Sequence, residues 1–144
     1  MDAAFAEARA AALRGEVPIG AVVVDSKTGA QVAMDGNRIE QLNDPTAHAE
    51  ILVLRHAAET LQSPRLADYD LYVTLEPCPM CAQAISFARI RRLYFAAYDP
   101  KGGGVDHGPR LYNQSSCHHR PEVIGGIREQ EAALMLREFF KDRR

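Results

Sequence analysis

Residues 70–92 read DLYVTLEPCPMCAQAISFARIRR, a stretch that leaves the backbone few choices. DLYVTLE (70–76) is strand-sized and apolar, with β-branched Val73 and Thr74. Pro77 ends it, since the residue before a proline is held out of helical geometry. CPMCAQAISFAR (78–89) is then a helix, and RRLYFAAY (91–98) is a further strand. A strand, a helix and a strand in that order imply parallel pairing, with the helix packed over the sheet.

The rest of the chain extends this pattern. Residues 2–14 read as a helix that stops at Gly15, with Pro18 beyond. IGAVVVD (19–25) is a buried strand, SKTGA is a turn, and QVAMDGN (31–37) closes a hairpin. LNDPT breaks the chain and offers Asp44 and Thr46 as helix caps. Ile51, Leu54, Ala58 and Leu61 recur at helical spacing, which predicts an amphipathic helix over 47–62. DPKGGGVDHGP (99–109) reads as a flexible loop, PEVIGGI (121–127) as a short fifth strand, and 128–142 as a final helix. The fold class is α/β: a three-layer α/β/α sandwich with a mixed central sheet of about five strands. Residues 1–144 read as a single domain, with no repeat or linker.

Composition excludes several function classes. The longest apolar run, VPIGAVVV, is far short of the roughly 18–20 residues of a membrane helix, so no membrane association is expected. The first residues mix Glu7 with Arg9 and lack the layout of a secretory signal. Three cysteines do not form a closed disulfide framework, which points to a reducing cytoplasm. A net charge of −2 argues against a broad nucleic-acid surface. The second half of the chain is nevertheless basic, with clusters at Arg89, Arg91 and Arg92 and at Arg137, Lys141, Arg143 and Arg144. Cations of this kind suit solvated helix ends as well as a polyanion.

Cys78 and Cys81 stand three residues apart at a helix start, where free N–H groups favour thiolate over thiol. That suits a redox pair or a corner of a metal site. His48 begins the second predicted helix, and the topology brings the starts of the two helices to one sheet edge, where parallel sheets bind ligands. A His₁Cys₂ zinc site with one open position is the catalytic arrangement. A closed structural site completed by Cys117, His118 or His119 is the competitor. Glu50 lies two residues after His48, about 200° round a helix, so it stands beside the ligand set without joining it. It is placed to carry protons, or simply to favour the helix dipole.

HAE (48–50) with PCPMC (77–81) resembles the zinc-dependent cytidine deaminase superfamily. EVPIGAVVVD, GNR, DPTAHAEI, LYVTLEPCPMC and LREFFKDRR look like its bacterial tRNA adenosine deaminase branch, and the likeness spans nearly the whole chain. The resemblance implies one Zn²⁺ per subunit on His48, Cys78 and Cys81, with Glu50 as general base and acid. It implies that Asn37 contacts the flipped base and that Asp99 lies near the ribose. It places His119 and Arg120 at the anticodon loop, and Phe139, Phe140, Lys141, Arg143 and Arg144 on a terminal helix that meets RNA. One phenylalanine of the pair is expected to be packed and the other exposed. The implied partner is a tRNA anticodon stem-loop, bound across a homodimer, and the implied reaction is adenosine to inosine at the wobble position. Residues 102–118 depart from the pattern of many members, in the loop that shapes substrate access. A free guanine or cytosine deaminase on the same scaffold is the alternative enzyme. A zinc-stabilised binding module and a thiol oxidoreductase are the other classes.

Overall fold

The computed structural model describes residues 1–143; Arg144, expected among the basic terminal contacts, lies outside the described residues. Five helices and five strands follow in the order α1 (Asp2–Leu13), β1 (Gly20–Asp25), β2 (Gln31–Gly36), α2 (Ile39–Leu42), α3 (Ala49–Leu61), β3 (Tyr69–Leu75), α4 (Pro79–Phe87), β4 (Arg92–Ala97), β5 (Glu122–Ile124) and α5 (Glu129–Lys141). A single 3₁₀ turn, Leu111–Asn113, interrupts the loop between β4 and β5.

The sheet order is β2-β1-β3-β4-β5. β3 and β4, separated by α4, pair in parallel, and so do β4 and β5, which the long loop joins. β1 is antiparallel to both of its neighbours, β2 and β3. β2 and β3 therefore run the same way on either side of β1, and the helices that follow them start at one edge of the sheet. The sheet is mixed and lies between two helical layers.

Strand alternation divides the core in two. Ala21, Val23, Leu71, Val73, Leu93 and Phe95 face α3 and α4. On the other face Ala96 joins Phe5 of α1 and Ala132 of α5, and Ala97, the last residue of β4, packs into the same cluster. The apolar stripe of α1, Ala4, Phe5, Ala8 and Ala11, lies directly on the hairpin. Gly20 permits that approach: a side-chain carbon there would overlap the Ala4 carbonyl and the Ala8 N–H.

Several local expectations need correction. The one-turn α2 was not visible in the sequence. Asp44 and Thr46 do not cap α3. Asp44 Oδ1 accepts the Thr46 N–H (2.8 Å) and hydroxyl (2.7 Å), closing a turn ahead of the helix. The predicted fifth strand shortens to three residues, because Gly125 lies against the Phe95 ring and Gly126 takes a φ of +84°. No helix among the described residues is long and apolar enough to cross a membrane.

Candidate metal centre

Two chain reversals build the site. β2 leads through α2 into α3, and β3 leads through Pro77 into α4. His48 and Cys78 are the residues just ahead of these helices, both in extended geometry (ψ 150° and 170°). Cys81 lies in the first turn of α4, and Glu50 is the second residue of α3. Neither His48 nor Cys78 makes a side-chain cap bond, so both side chains are free to turn inward.

They converge. His48 Nδ1 lies 3.7 Å from Cys78 Sγ and 3.6 Å from Cys81 Sγ. Zinc–sulfur bonds of about 2.3 Å and zinc–nitrogen bonds of about 2.0–2.1 Å, set tetrahedrally, hold N and S ligands about 3.5 Å apart. The donor set fits a zinc ion in both chemistry and spacing. It is the group of possible metal ligands found among the described residues, and none of Cys117, His118 or His119 joins it. Cys117 Sγ instead donates to the His119 carbonyl (3.1 Å), beside Ser86. His119 Nε2 is hydrogen-bonded to the Ile90 carbonyl (2.7 Å). The closed structural zinc site is thus absent among the described residues.

The closeness of these groups shifts their proton affinities. The Cys78 thiol is pulled down to about 4, chiefly by a hydrogen bond from Cys81, with His48 adding to the effect. Cys81 is pushed up by that same hydrogen bond and by burial. His48 is raised, first by its hydrogen bond to Cys78. Glu50 is buried, and burial pushes its carboxyl up to about 7. A carboxyl titrating near neutrality can both take and give a proton.

Asn37 enters the site from the loop after β2. It is buried, and its Oδ1 accepts the Ala49 N–H at 2.9 Å, so it supplies the cap that His48 does not. Asp99 lies two residues beyond β4, and its Oδ1 accepts the N–H groups of Lys101 (3.2 Å) and Gly102 (3.0 Å).

The expected RNA-contact residues lie in two places. Arg120 is exposed and lines a cavity of about 500 Å³ with Arg110, Tyr112 and Asn113. Phe139 is buried and Phe140 exposed, which resolves the pair as expected. The Arg143 guanidinium lies 3.5 Å over the Phe139 ring. Phe140, Lys101, Arg137, Lys141 and Arg143 line a second cavity of about 610 Å³.

Sequence reasoning missed Lys101, which adds a loop cation to the helix cluster, and missed Glu76. The signal for Glu76 was present: a carboxylate directly after an apolar strand and two residues before a cysteine ligand must be buried and therefore partnered.

Known proteins resemble this chain. The profile of the cytidine and deoxycytidylate deaminase zinc-binding region matches residues 1–97. A tRNA-specific adenosine deaminase of Agrobacterium fabrum is 58% identical over 144 residues, covering 100% of this chain and 93% of the relative. A solved structure from work on A-to-I editing by tRNA:A34 deaminases at the wobble position of transfer RNA is also 58% identical. It covers 94% of this chain and 97% of its own, with a TM-score of 0.91. A guanine deaminase of Bacillus subtilis is 41% identical over 67% of this chain and 61% of its own, with a TM-score of 0.64. The chain belongs to the zinc-binding cytidine and deoxycytidylate deaminase family, and within it to the tRNA-specific adenosine deaminases.

Proposed function

We propose that this chain converts adenosine to inosine in tRNA, at the wobble position of the anticodon, as one deaminase domain over residues 1–144. His48, Cys78 and Cys81 hold one zinc ion per protomer. The observation that carries this reading is the convergence of His48 Nδ1 on two sulfurs at 3.6 and 3.7 Å, with the buried Glu50 beside them. Bound zinc supplies Lewis acidity, which in zinc enzymes lowers the pKa of water from about 15.7 to about 7.

The chain's own residues then move protons. Glu50 takes a proton from the attacking water and passes it to N1 of adenine as the oxygen bonds to C6. The C6–N6 bond breaks, the second water proton goes through Glu50 to the departing nitrogen, and inosine and ammonia result. General acid–base transfer of this kind contributes about 10²–10⁴-fold. Asn37 spends its Oδ1 on Ala49, which leaves its Nδ2 as a donor to the base. Asp99 shapes the rim near the ribose.

The base must leave its stack to reach this site, which favours an unpaired loop such as the anticodon over a duplex. The cavity between Lys101 and α5 supports an RNA substrate, since Arg137, Lys141 and Arg143 offer phosphate contacts beside the exposed Phe140. Arg120 adds a contact toward the anticodon loop, with the His119 ring holding that segment to Ile90. A homodimer is supported by the apolar face of α3 and α4. There Ile51, Leu54, Ala58, Pro64 and Phe87 line a cavity of about 380 Å³, and Phe87 is 71% exposed.

The guanine deaminase likeness keeps one rival reading: a free-base deaminase. Parallel incubations with tRNA, guanine and cytosine, read as inosine and released ammonia, decide between them. Inosine in tRNA with no ammonia from either free base is the expected result. Ammonia from guanine alone transfers the assignment to the rival.

A further inference from the structure

Glu76 lies just beyond β3 and two residues before Cys78, and its side chain is fully buried. A carboxylate in such a place must have its lone pairs filled. Oε1 accepts the N–H groups of Val105 (3.3 Å), Asp106 (2.8 Å) and His107 (3.0 Å). Oε2 accepts the Asp99 N–H at 2.9 Å and lies 2.8 Å from His107 Nδ1. Four backbone N–H groups of one loop point at one side chain, so the loop is folded around it as around a bound anion.

That loop rests on the cysteine turn. The Gly104 N–H donates to the Pro77 carbonyl at 2.8 Å. A side-chain carbon at Gly104 would come within 2.6 Å of Pro79 N and 2.9 Å of the Cys78 carbonyl carbon. One at Gly103 would meet Glu76 Oε1 at 2.5 Å. Backbone packs directly on backbone here, and there is no side chain to absorb a displacement.

We propose that Glu76 is a positioning residue for the deamination, with His107 as its side-chain partner. Its carboxylate fastens the 99–107 loop onto the Pro77–Pro79 turn and thereby fixes the Cys78 sulfur relative to His48 and Cys81. This rests on the deaminase reading above. The effect on turnover follows from geometry, because a misplacement of about 1 Å can cost on the order of 10²-fold in rate. Partners that orient metal ligands are typically worth about 10–100-fold in metal affinity or activity.

The test compares two buried carboxylates at opposite ends of β3. Glu76→Gln puts an NH₂ where an acceptor oxygen stood. Asp70→Asn is the control: Asp70 pairs with Arg91 at 2.9 and 2.7 Å near the opposite end of β3, about 20 Å away. In Glu76→Gln, kcat on tRNA falls about 10-fold or more while KM stays within about twofold. Zinc release to a chelator accelerates by at least about 10-fold, and amide exchange quickens at Asp99 and Val105–His107. Asp70→Asn lowers the melting temperature and leaves kcat and zinc release unchanged.

Gly104→Ala, which lifts the loop with Glu76 intact, reproduces the loss of kcat and the faster zinc release, and it carries the test should Glu76→Gln not fold. His107→Asn, which keeps a donor near the ring nitrogen, retains more kcat than His107→Ala. Wild-type kcat and zinc release in Glu76→Gln or in Gly104→Ala overturn the proposal. So does an equal loss of kcat in Asp70→Asn at matched stability. A wild-type protein inactive on tRNA overturns the deaminase reading instead, and the zinc-release and exchange comparison still judges Glu76.

Discussion

Asn37 and Ala49 are twelve residues apart, and the Asn37 side-chain oxygen accepts the Ala49 N–H at 2.9 Å. The loop after β2 thus caps the helix that carries Glu50, so one side chain couples stability to the site. Asn37→Ala orphans a buried N–H and should cost roughly 1–2 kcal/mol in denaturant unfolding. Asn37→Asp keeps the acceptor but buries a carboxylate, so its loss of stability should shrink as pH falls and the carboxyl becomes neutral. It loses the Nδ2 donor, so kcat/KM on tRNA should fall in both variants. Full activity in Asn37→Asp would remove the amide from base recognition.

Glu50 and Cys81 separate proton transfer from metal holding. Glu50→Gln preserves size and should keep one zinc per chain by elemental analysis. Its single-turnover rate on tRNA should fall about 10²–10⁴-fold, the worth of general acid–base transfer. Cys81→Ala should lose the zinc itself. Turnover at the wild-type rate in Glu50→Gln would reassign the proton carrier. Unchanged zinc in Cys81→Ala would clear that sulfur of coordination.

The architecture was legible because strand and helix periods alternate cleanly from Gly20 to Ala97. The metal group was legible because CxxC spacing and the topology together force His48 onto the two sulfurs. The capping of α3 was not, since Asn37 acts from a distant turn while Asp44 and Thr46 satisfy each other locally. The 99–109 segment looked flexible because glycine content registers freedom in the unfolded chain. The carboxylate that orders this segment lies on the other side of β4 in sequence. Long-range polar partners of this kind leave no periodic trace.

Glu76 also makes a pH prediction. Burial alone pushes its carboxyl up, but the N–H groups of Asp99, Asp106 and His107 and the His107 ring outweigh burial and hold it below the ordinary 4.5. A depressed folded-state value means the carboxylate form is stabilised by folding. That stability is present in full above about pH 4.5 and is lost as pH falls through the folded-state value. In urea titrations the gap between wild type and Glu76→Gln should narrow as pH falls below about 4.5 and the carboxylate takes up its proton. A gap that does not change with pH would show that Glu76 is not held ionised.

Phe87 is 71% exposed at the end of α4, on the apolar face shared with Ile51 and Leu54. In the proposed homodimer this apolar patch is the surface that becomes buried. Phe87→Glu should shift the protein toward monomer in sedimentation velocity, while its zinc content and its far-ultraviolet circular dichroism stay unchanged. A variant that sediments as wild type does would remove this face from the proposed dimer.

Lys101, Arg137, Lys141 and Arg143 surround one cavity beside Phe140, and they come from two separate parts of the chain. Each cation that neutralises a phosphate releases counterions, so the logarithm of affinity falls with the logarithm of salt by about 0.7–0.9 per contact. Replacing Lys101, Arg137 and Lys141 together with Gln should weaken tRNA binding and lower that slope by up to about 2–3. Arg143 is left in place because its guanidinium also covers the Phe139 ring, and losing it would mix packing with charge. The catalytic group is untouched, so kcat at saturating tRNA should hold while KM rises. A lower kcat at an unchanged salt slope would mean that these cations act on the folded chain and not on the nucleic acid.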